Sequence, residues 1–510
     1  MTVADLIWAD RRLDGAGLTD RALRGVSALD RLGVKPGDVV AIMLRNDIAW
    51  FEAMLTVRLA GCYTCPINWH FKAEETGYIL RDCGAAVLIV HADLLPQIEE
   101  AIPDHTRIIV VEPSAPLRQA FHLTPDQCRL PAGAAGWETL LAGAPAYAGA
   151  PRPTRFAIPY SSGTTGRPKG IRREAMSEAA AAQATVTTRT AMGITEGMRT
   201  AAVAPLYHSA PFVHGLHSLL AADLIVIHPR LDPELLLADI ERHRLTSLYL
   251  VPTHYVRLLR LPDAVKRRYD LSSIQVVAST GSPCPPQVKR AMIDWWGPVI
   301  TEAYASSETG FITLCTAQDA LRRPGTAGRL IAGAEARILD DAGRELPPGQ
   351  SGVIYCRQSD LSDFSYINND AARRQIDHDG LIGVGDIGYF DSEGYLFICD
   401  RKADMVISGG VNIYPAEIEA TLITMPGVGD CAVFGIPDQE FGEALAAHIQ
   451  PHDGAVLEPD AVRAFLRRHL ADYKVPRVIA FAAELPREES GKIFKRKLRE
   501  PYWRDTGRSI

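Results

Sequence analysis

The hydrophobic pattern divides the chain into three textures. From about Leu32, short unbroken apolar runs alternate with longer amphipathic ones. VVAIML (39–44) and AAVLIVH (85–91) read as strands buried on both faces. AWFEAMLTVRLAG (49–61) and AEETGYILRDCG (73–84) read as amphipathic helices closing on glycine. Further strand–helix units occur around DLIVIHP (223–229), PELLLADIERHRLTSLYLVPT (233–253) and SIQVVASTG (273–281). Continuous apolar strands each followed by a helix predict parallel sheets covered on both faces. Between Gly325 and Tyr395 the texture becomes short alternating segments with Gly and Pro turns, as in ARILDDAGRELPPGQSGVIYCR (336–357), which predicts antiparallel hairpins. From about Met405, starting with VISGGVNIYPAEIEATL (406–422), strands and helices alternate to the end as a small α+β unit. The expected fold is α/β. A large N-terminal domain (1–402) holds two doubly covered parallel-rich sheets and a small antiparallel β subdomain, and a small α+β C-terminal domain (403–510) follows.

Length supports this division, because 510 residues exceed a single ordinary core. A net charge of −7 argues against nonspecific nucleic-acid binding, which wants a basic surface. The opening MTVADLIWADRRLDG places Asp and two Arg where a signal peptide needs an apolar run. The long apolar stretch LHSLLAADLIVI is cut by His217, Ser218 and Asp223, so no membrane span is expected and a cytoplasmic location is. Nine Cys are scattered singly except for Cys62-Tyr-Thr-Cys65. One such pair without a second is weak for zinc or redox chemistry, and both read as small buried apolar residues.

The candidate chemistry centres on YSSGTTGRPKG (160–170), which packs three Gly, four Ser/Thr hydroxyls and Lys169 behind the apolar run Phe156-Ala157-Ile158. Such a loop offers backbone N–H groups, hydroxyls and one positive charge to a polyphosphate. It is not a Walker A loop, because Arg167 and Pro168 separate Gly166 from Lys169 and Gly170 follows the lysine. Four further segments accompany it: APLYHSAP (204–211), TEAYASSETG (301–310), GDIGYFDSEGYLFICDRKAD (385–404) and PREESGKIFKRKLR (486–499). Taken singly, each has a plain alternative. Asp386 could cap a turn, Glu308 could be a helix N-terminal acid, His208 could be structural, and Lys492 could belong to a solvated basic face.

Together these segments resemble the adenylate-forming superfamily, in its acyl-CoA synthetase branch. The likeness runs from LGVKPGDVVAIMLRN (32–46) to GKIFKRKLR (491–499) and includes VNIYPAEIE, VFGIPDQEFGEAL and YKVPR. It implies a two-step ligase using ATP, Mg²⁺ and coenzyme A. A carboxylate attacks the α-phosphate to give acyl-AMP and pyrophosphate, and a thiol then displaces AMP. Both reactants of the first step are anions, so cationic and hydrogen-bonding groups must bring them together. On this resemblance Ser161, Ser162, Gly163, Thr164, Thr165, Gly166 and Lys169 match the ATP phosphate loop. Glu308, with Thr165, matches the Mg²⁺ site. Tyr304, Ser307, Asp386 and Arg401 match the adenine and ribose contacts, and Lys492 matches a catalytic lysine carried by a mobile C-terminal domain. His208, also matched as catalytic, lines an acyl pocket with Phe212, Val213, Gly281 and Ala305, and His214, His217, Tyr255, Ser279 and Thr280 are expected beside them. Ser408, Gly409 and Gly410 match the wall of a CoA tunnel, where Gly permits close passage of a thin ligand arm.

Two positions depart from the family pattern: Ala403 stands where an Asp or Lys pivot is usual, and Ala305 adds a methyl to the pocket. The pocket residues suit a medium- or long-chain fatty, aryl or cyclic acid, and no clear cationic anchor for a dicarboxylate stands out. Two alternatives stay open: an adenylating enzyme that loads a carrier-protein thiol, and a nucleotide-binding protein without ligase activity. The reading allows a homodimer.

Overall fold

A computed structural model describes residues 3–161, 168–402, 404–408, 411–452, 454–487 and 493–504. The first sheet is parallel throughout, in the order Tyr63–Pro66, Val39–Met43, Ala85–His91, Arg107–Val111 and Ala135–Gly136. Alternation along the strand Val39–Met43 explains why it reads as unbroken apolar sequence. Val40 and Ile42 enter one core, whereas Val39, Ala41 and Met43 enter the core on the opposite face. The same two-residue period separates Cys62 from Cys65: each is buried, but in a different core, so they share no ligand.

A second sheet sets Arg199–Ala202, Leu224–Ile227 and Asp5–Trp8 in parallel and adds Arg11–Leu13 antiparallel. A third begins with the parallel strands Ser247–Tyr249, Val276–Ser279 and Ile300–Ser306 and then turns antiparallel through Gly310–Cys315, Thr326–Leu330, Leu396–Arg401, Asp386–Phe390 and Gly352–Gln358. The hairpin texture after Gly325 thus forms antiparallel strands that continue this sheet. A small antiparallel ladder joins Tyr160–Ser161, Lys169–Arg173 and Phe364–Tyr366, holding both ends of the glycine-rich loop against the sheet assembly.

The α+β unit at the C-terminal end has its own sheet, in the order Val411–Ile413, Val406–Ser408, Gly442–Pro451 and Val428–Asp438, with Val478–Phe481 parallel to Gly442–Pro451. It encloses its own core around Ile418, Val433, Val462 and Leu466. It touches the rest of the chain where Gln287 Nε2 donates to the Ala420 carbonyl at 3.0 Å and where Asp400 accepts from the Ala416 amide at 2.9 Å. Among the described residues no helix is long and apolar enough to cross a membrane.

Candidate functional site

A continuous cavity of about 2620 Å³ runs between these sheets and beneath the C-terminal unit. One wall includes Tyr160, Pro168 and Ile171, which flank the glycine-rich loop. Residues 162–167 lie outside the described part, so Ser162, Gly163, Thr164, Thr165 and Gly166 have no placement here, and of Ser161 only the backbone does. The loop's ends are fixed by the pairs Tyr160–Gly170 and Ser161–Lys169. Tyr160 donates to Asp82 at 2.7 Å, and Asn368 donates to the Asp82 carbonyl at 3.2 Å. A Cβ on Gly170 would stand 2.6 Å from the Tyr160 ring, so only glycine lets the strands close there.

Beyond the loop, Lys169 Nζ lies 5.2 Å from the centroid of the Tyr366 ring, and the Tyr366 hydroxyl donates to Glu308 Oε1 at 2.9 Å. Burial, and then the Glu308 charge, push the phenol's pKa up, so it stays a donor. Glu308 occupies the turn between Ile300–Ser306 and Gly310–Cys315, not a helix N-terminus. Ser306 Oγ accepts from the Glu308 and Thr309 amides at 3.2 and 3.0 Å, and Gly310 closes the turn at φ +76°. Arg173 clamps the turn from beneath, donating to the carbonyls of Ser307 at 2.9 Å, Glu308 at 2.5 Å and Ser362. Burial depresses the Arg173 pKa to about 10, still well above neutrality.

A second cluster lies on the antiparallel strands. Asp386 and Arg401 face each other in register, and Arg401 Nε stands 3.2 Å from Asp386 Oδ1. Tyr304 donates to Asp386 Oδ2 at 2.7 Å. A β-bulge between Tyr304 and Ala305 re-aims the strand at this point, and Tyr304, Ala305, Ser307, Glu308, Asp386 and Arg401 all line the same cavity. Ser307 Oγ reaches Ser209 Oγ at 3.1 Å, tying this strand end to the helix Ser209–Leu219.

That helix forms the acyl side. His208 is its N-cap residue, and Phe212, Val213, Leu216 and His217 follow along its cavity face, with Thr280, Gly281 and Ala305 on the opposing wall. Three expected residues are corrected. His214, Tyr255 and Ser279 do not line the cavity. Helix phase turns His214 back against Ser218 and Tyr249, and Tyr255 is fully enclosed in the neighbouring core. Ser279 is buried at the end of its strand. Burial holds His208 and His214 at about 4 and His217 and His254 at about 3, with His70 adding to the effect on His208. These imidazoles are therefore neutral near pH 7. His208 Nε2 and His217 Nδ1 are buried with no hydrogen-bond partner among the described residues. The sequence reading missed Met54, Arg58, Thr185 and Arg189, contributed by the helices Ile48–Leu59 and Glu178–Ala191.

On the C-terminal side, Lys492, Gly409, Gly410 and Ala403 lie outside the described residues. Ile493, Phe494 and Lys495, directly after Lys492, line the cavity. Lys495 is ion-paired with Glu419 at 2.8 Å. Ser408 pairs with Val411 and Gly442 in its sheet and does not line the cavity. No group of three His, Cys, Asp or Glu able to hold a metal occurs among the described residues. A lone carboxylate such as Glu308 suits a Mg²⁺ held mainly by substrate phosphates and water.

Comparison with known proteins shows what this chain is similar to. The AMP-binding enzyme family matches residues 3–363, and the AMP-binding enzyme C-terminal domain matches 417–492. A 3-[(3aS,4S,7aS)-7a-methyl-1,5-dioxo-octahydro-1H-inden-4-yl]propanoyl:CoA ligase of Mycobacterium tuberculosis is 35% identical, covering 97% of this chain and 95% of its own. A feruloyl-CoA synthase of an Amycolatopsis species is 32% identical over 96% and 93% of the two chains. The ATP-bound crystal structure of MatB from Rhodopseudomonas palustris superposes with a TM-score of 0.83 at 28% identity, covering 99% of this chain and 97% of that one.

Proposed function

This chain belongs to the AMP-binding enzyme family, in its acyl-CoA ligase branch, and on that premise we propose that it joins a medium- or long-chain fatty, aryl or cyclic carboxylic acid to coenzyme A at the expense of ATP. The observation that carries the reading is one cavity lined by Glu308, whose carboxylate Tyr366 holds from behind, and by Tyr304, Asp386 and Arg401, and continuing past His208 into an apolar pocket.

In this reading Asp386 accepts from the ribose hydroxyls, held in place by Tyr304 and Arg401. Tyr304 presents its ring to the adenine. Lys169 and the loop 161–166 hold the β- and γ-phosphates. Glu308, fixed by Tyr366 and by the Arg173 clamp on its backbone, is the protein ligand for Mg²⁺, which when bound offsets phosphate charge. His208, neutral and with Nε2 unpartnered, directs the acid's carboxylate by hydrogen bonding without adding charge. Lys492 bridges that carboxylate and the α-phosphate, supplying the positive charge that lets two anions meet. We place the boundary of the C-terminal domain between 402 and 403, and its rotation about that point would withdraw Lys492 and admit the thiol past Ser408, Gly409 and Gly410.

The test is pyrophosphate release from MgATP across fatty, aryl and cyclic acids, with and without coenzyme A. Turnover of one acid class that requires coenzyme A supports the proposal. Release that ignores coenzyme A moves the acceptor to a carrier-protein thiol, and silence with every acid overturns the ligase reading. A Lys492→Ala variant with unchanged pyrophosphate release would remove that residue from the mechanism.

A further inference from the structure

The helix Ile48–Leu59 is enclosed on nearly every side, yet it carries Glu52, Thr56 and Arg58. The first two are satisfied. Glu52 is ion-paired with Arg21 and accepts from Trp137 Nε1 at 2.8 Å, and Thr56 donates to the Ala22 carbonyl at 3.3 Å. The Arg58 side chain has no hydrogen bond or ion pair with any described residue, and it lines the acyl end of the cavity on the same helix face as Met54. A guanidinium withdrawn from bulk water costs several kcal/mol unless something neutralises it.

Its neighbours do not. Arg58 and Arg189 both act on His217, which lines the same end of the cavity and has its Nδ1 buried without a partner. Arg189 is already engaged, ion-paired with Glu196 and donating to the Leu220 carbonyl at 3.2 Å. His214, behind this wall, and His217 are neutral. Among the described residues Arg189 is paired with Glu196 and the Arg58 guanidinium with none, so one positive charge is left over. It lies well away from the reacting centre. His217 follows His208 by nine residues of chain, which is about 13 Å along a helix.

We propose that Arg58, with His217 beside it, forms an acceptor subsite at the far end of the acyl cavity, binding a carboxylate or keto oxygen at the end of the acid remote from the carboxylate that is activated. This rests on the ligase reading above and narrows it, from an apolar acid to one with a distal oxygen acceptor. The guanidinium donates two hydrogen bonds in a planar fork, and either acceptor completes it. The distal ring oxygens in the name of the Mycobacterium tuberculosis relative are of the same chemical kind.

The test compares three acids of equal length on the full-length enzyme: nonanoic acid, 8-oxononanoic acid and azelaic acid. The wild type should favour one acceptor-bearing acid over nonanoic acid by about 10- to 150-fold in kcat/KM, the range for a hydrogen bond to a charged group. Preference for azelaic acid identifies a carboxylate subsite, and preference for 8-oxononanoic acid a keto subsite. Arg58→Met should abolish the preference through KM while lowering KM for nonanoic acid, and Arg58→Lys should restore part of it. The ligand-free Arg58→Met protein should melt no lower than wild type, because an unpaired charge has been removed. Equal or better use of nonanoic acid by the wild type overturns the subsite and leaves the ligase reading standing. So does an Arg58→Met variant that loses activity alike on all three acids, or that melts several degrees lower. Turnover of other acids but none of these three also overturns it, whereas silence across every acid class strikes the ligase reading itself.

Discussion

Replacing Tyr366 by phenylalanine deletes one oxygen and tests whether the carboxylate of Glu308 works in the nucleotide step. The ring keeps its place in the cluster of Ile171, Phe364, Ala372 and Ile382 and still underlies Lys169 Nζ at 5.2 Å. What is lost is a phenol-to-carboxylate bond of 2.9 Å between a buried residue and a partly buried one. Hydrogen bonds to charged groups contribute about 1.5–3 kcal/mol net. Glu308 is then free to turn out of position while Arg173 continues to hold its backbone. If the orientation of that carboxylate matters only in the adenylation transition state, the whole loss appears there, as about a 10- to 150-fold fall in kcat/KM. Pyrophosphate exchange measured against Mg²⁺ concentration should show the fall together with a raised Mg²⁺ requirement. Thioester formation from preformed acyl-AMP should change far less. Tyr366→Leu removes the ring as well and should lose a further ~0.5–2 kcal/mol of cation–π attraction on Lys169. Exchange by Tyr366→Phe within twofold of wild type at every Mg²⁺ concentration would refute the reasoning.

Asp386→Ala strips Tyr304 and Arg401 of their shared partner and should raise KM for ATP about 10- to 100-fold, with KM for the acid within twofold, as steady-state kinetics would show. Lys289→Met leaves Glu302, 2.8 Å away in the wild type and with its side chain only 12% exposed, as a largely enclosed unpaired acid. Breaking such a pair costs about 3–5 kcal/mol, so calorimetry should register a fall of several degrees. Burial already pushes Glu302 up against the opposing pull of Lys289, so the deficit should be largest at pH 8 and shrink toward pH 5 as the carboxyl protonates. The four most strongly depressed histidines set a second pH dependence. His208, His214, His217 and His254 stay neutral in the folded state down to about 4 or 3, whereas the unfolded chain protonates them below about 6.5. Their contribution to stability should therefore be flat above pH 7 and fall as the pH drops from 6.5 to 4, by up to about 1.4 kcal/mol per unit for each histidine. His254→Gln should lessen the slope of melting temperature against pH, and a melting temperature constant from pH 6.5 to 5 would contradict the assignment.

The parts of this molecule that could be read from sequence are those whose physics is local. The strand Val39–Met43 must be apolar at every position because it feeds two cores, and that produces an unbroken run visible without a structure. Asp386 and Arg401 stood out through the resemblance carried by their contiguous segment GDIGYFDSEGYLFICDRKAD, although their meeting depends on hairpin register. What stayed hidden depends on phase and on distance along the chain. Val213 and His214 are adjacent, yet one faces the cavity and the other turns toward Tyr249 and Ser218, and a helix boundary misjudged by one residue exchanges them. Arg58 is a different case. It closes an apolar helix far upstream of every motif, where a positive charge passes for the basic residue that favours a helix C-terminus. Only the fold, which sets that helix against Glu178–Ala191 and Ser209–Leu219 around one cavity, shows that the charge faces inward with nothing to meet it. In a long enzyme the reaction type is carried by contiguous loops that meet the constant part of the substrate. Selectivity for the variable part falls to isolated side chains on framework helices, and these can be recognised only once burial exposes a polar group left without a partner.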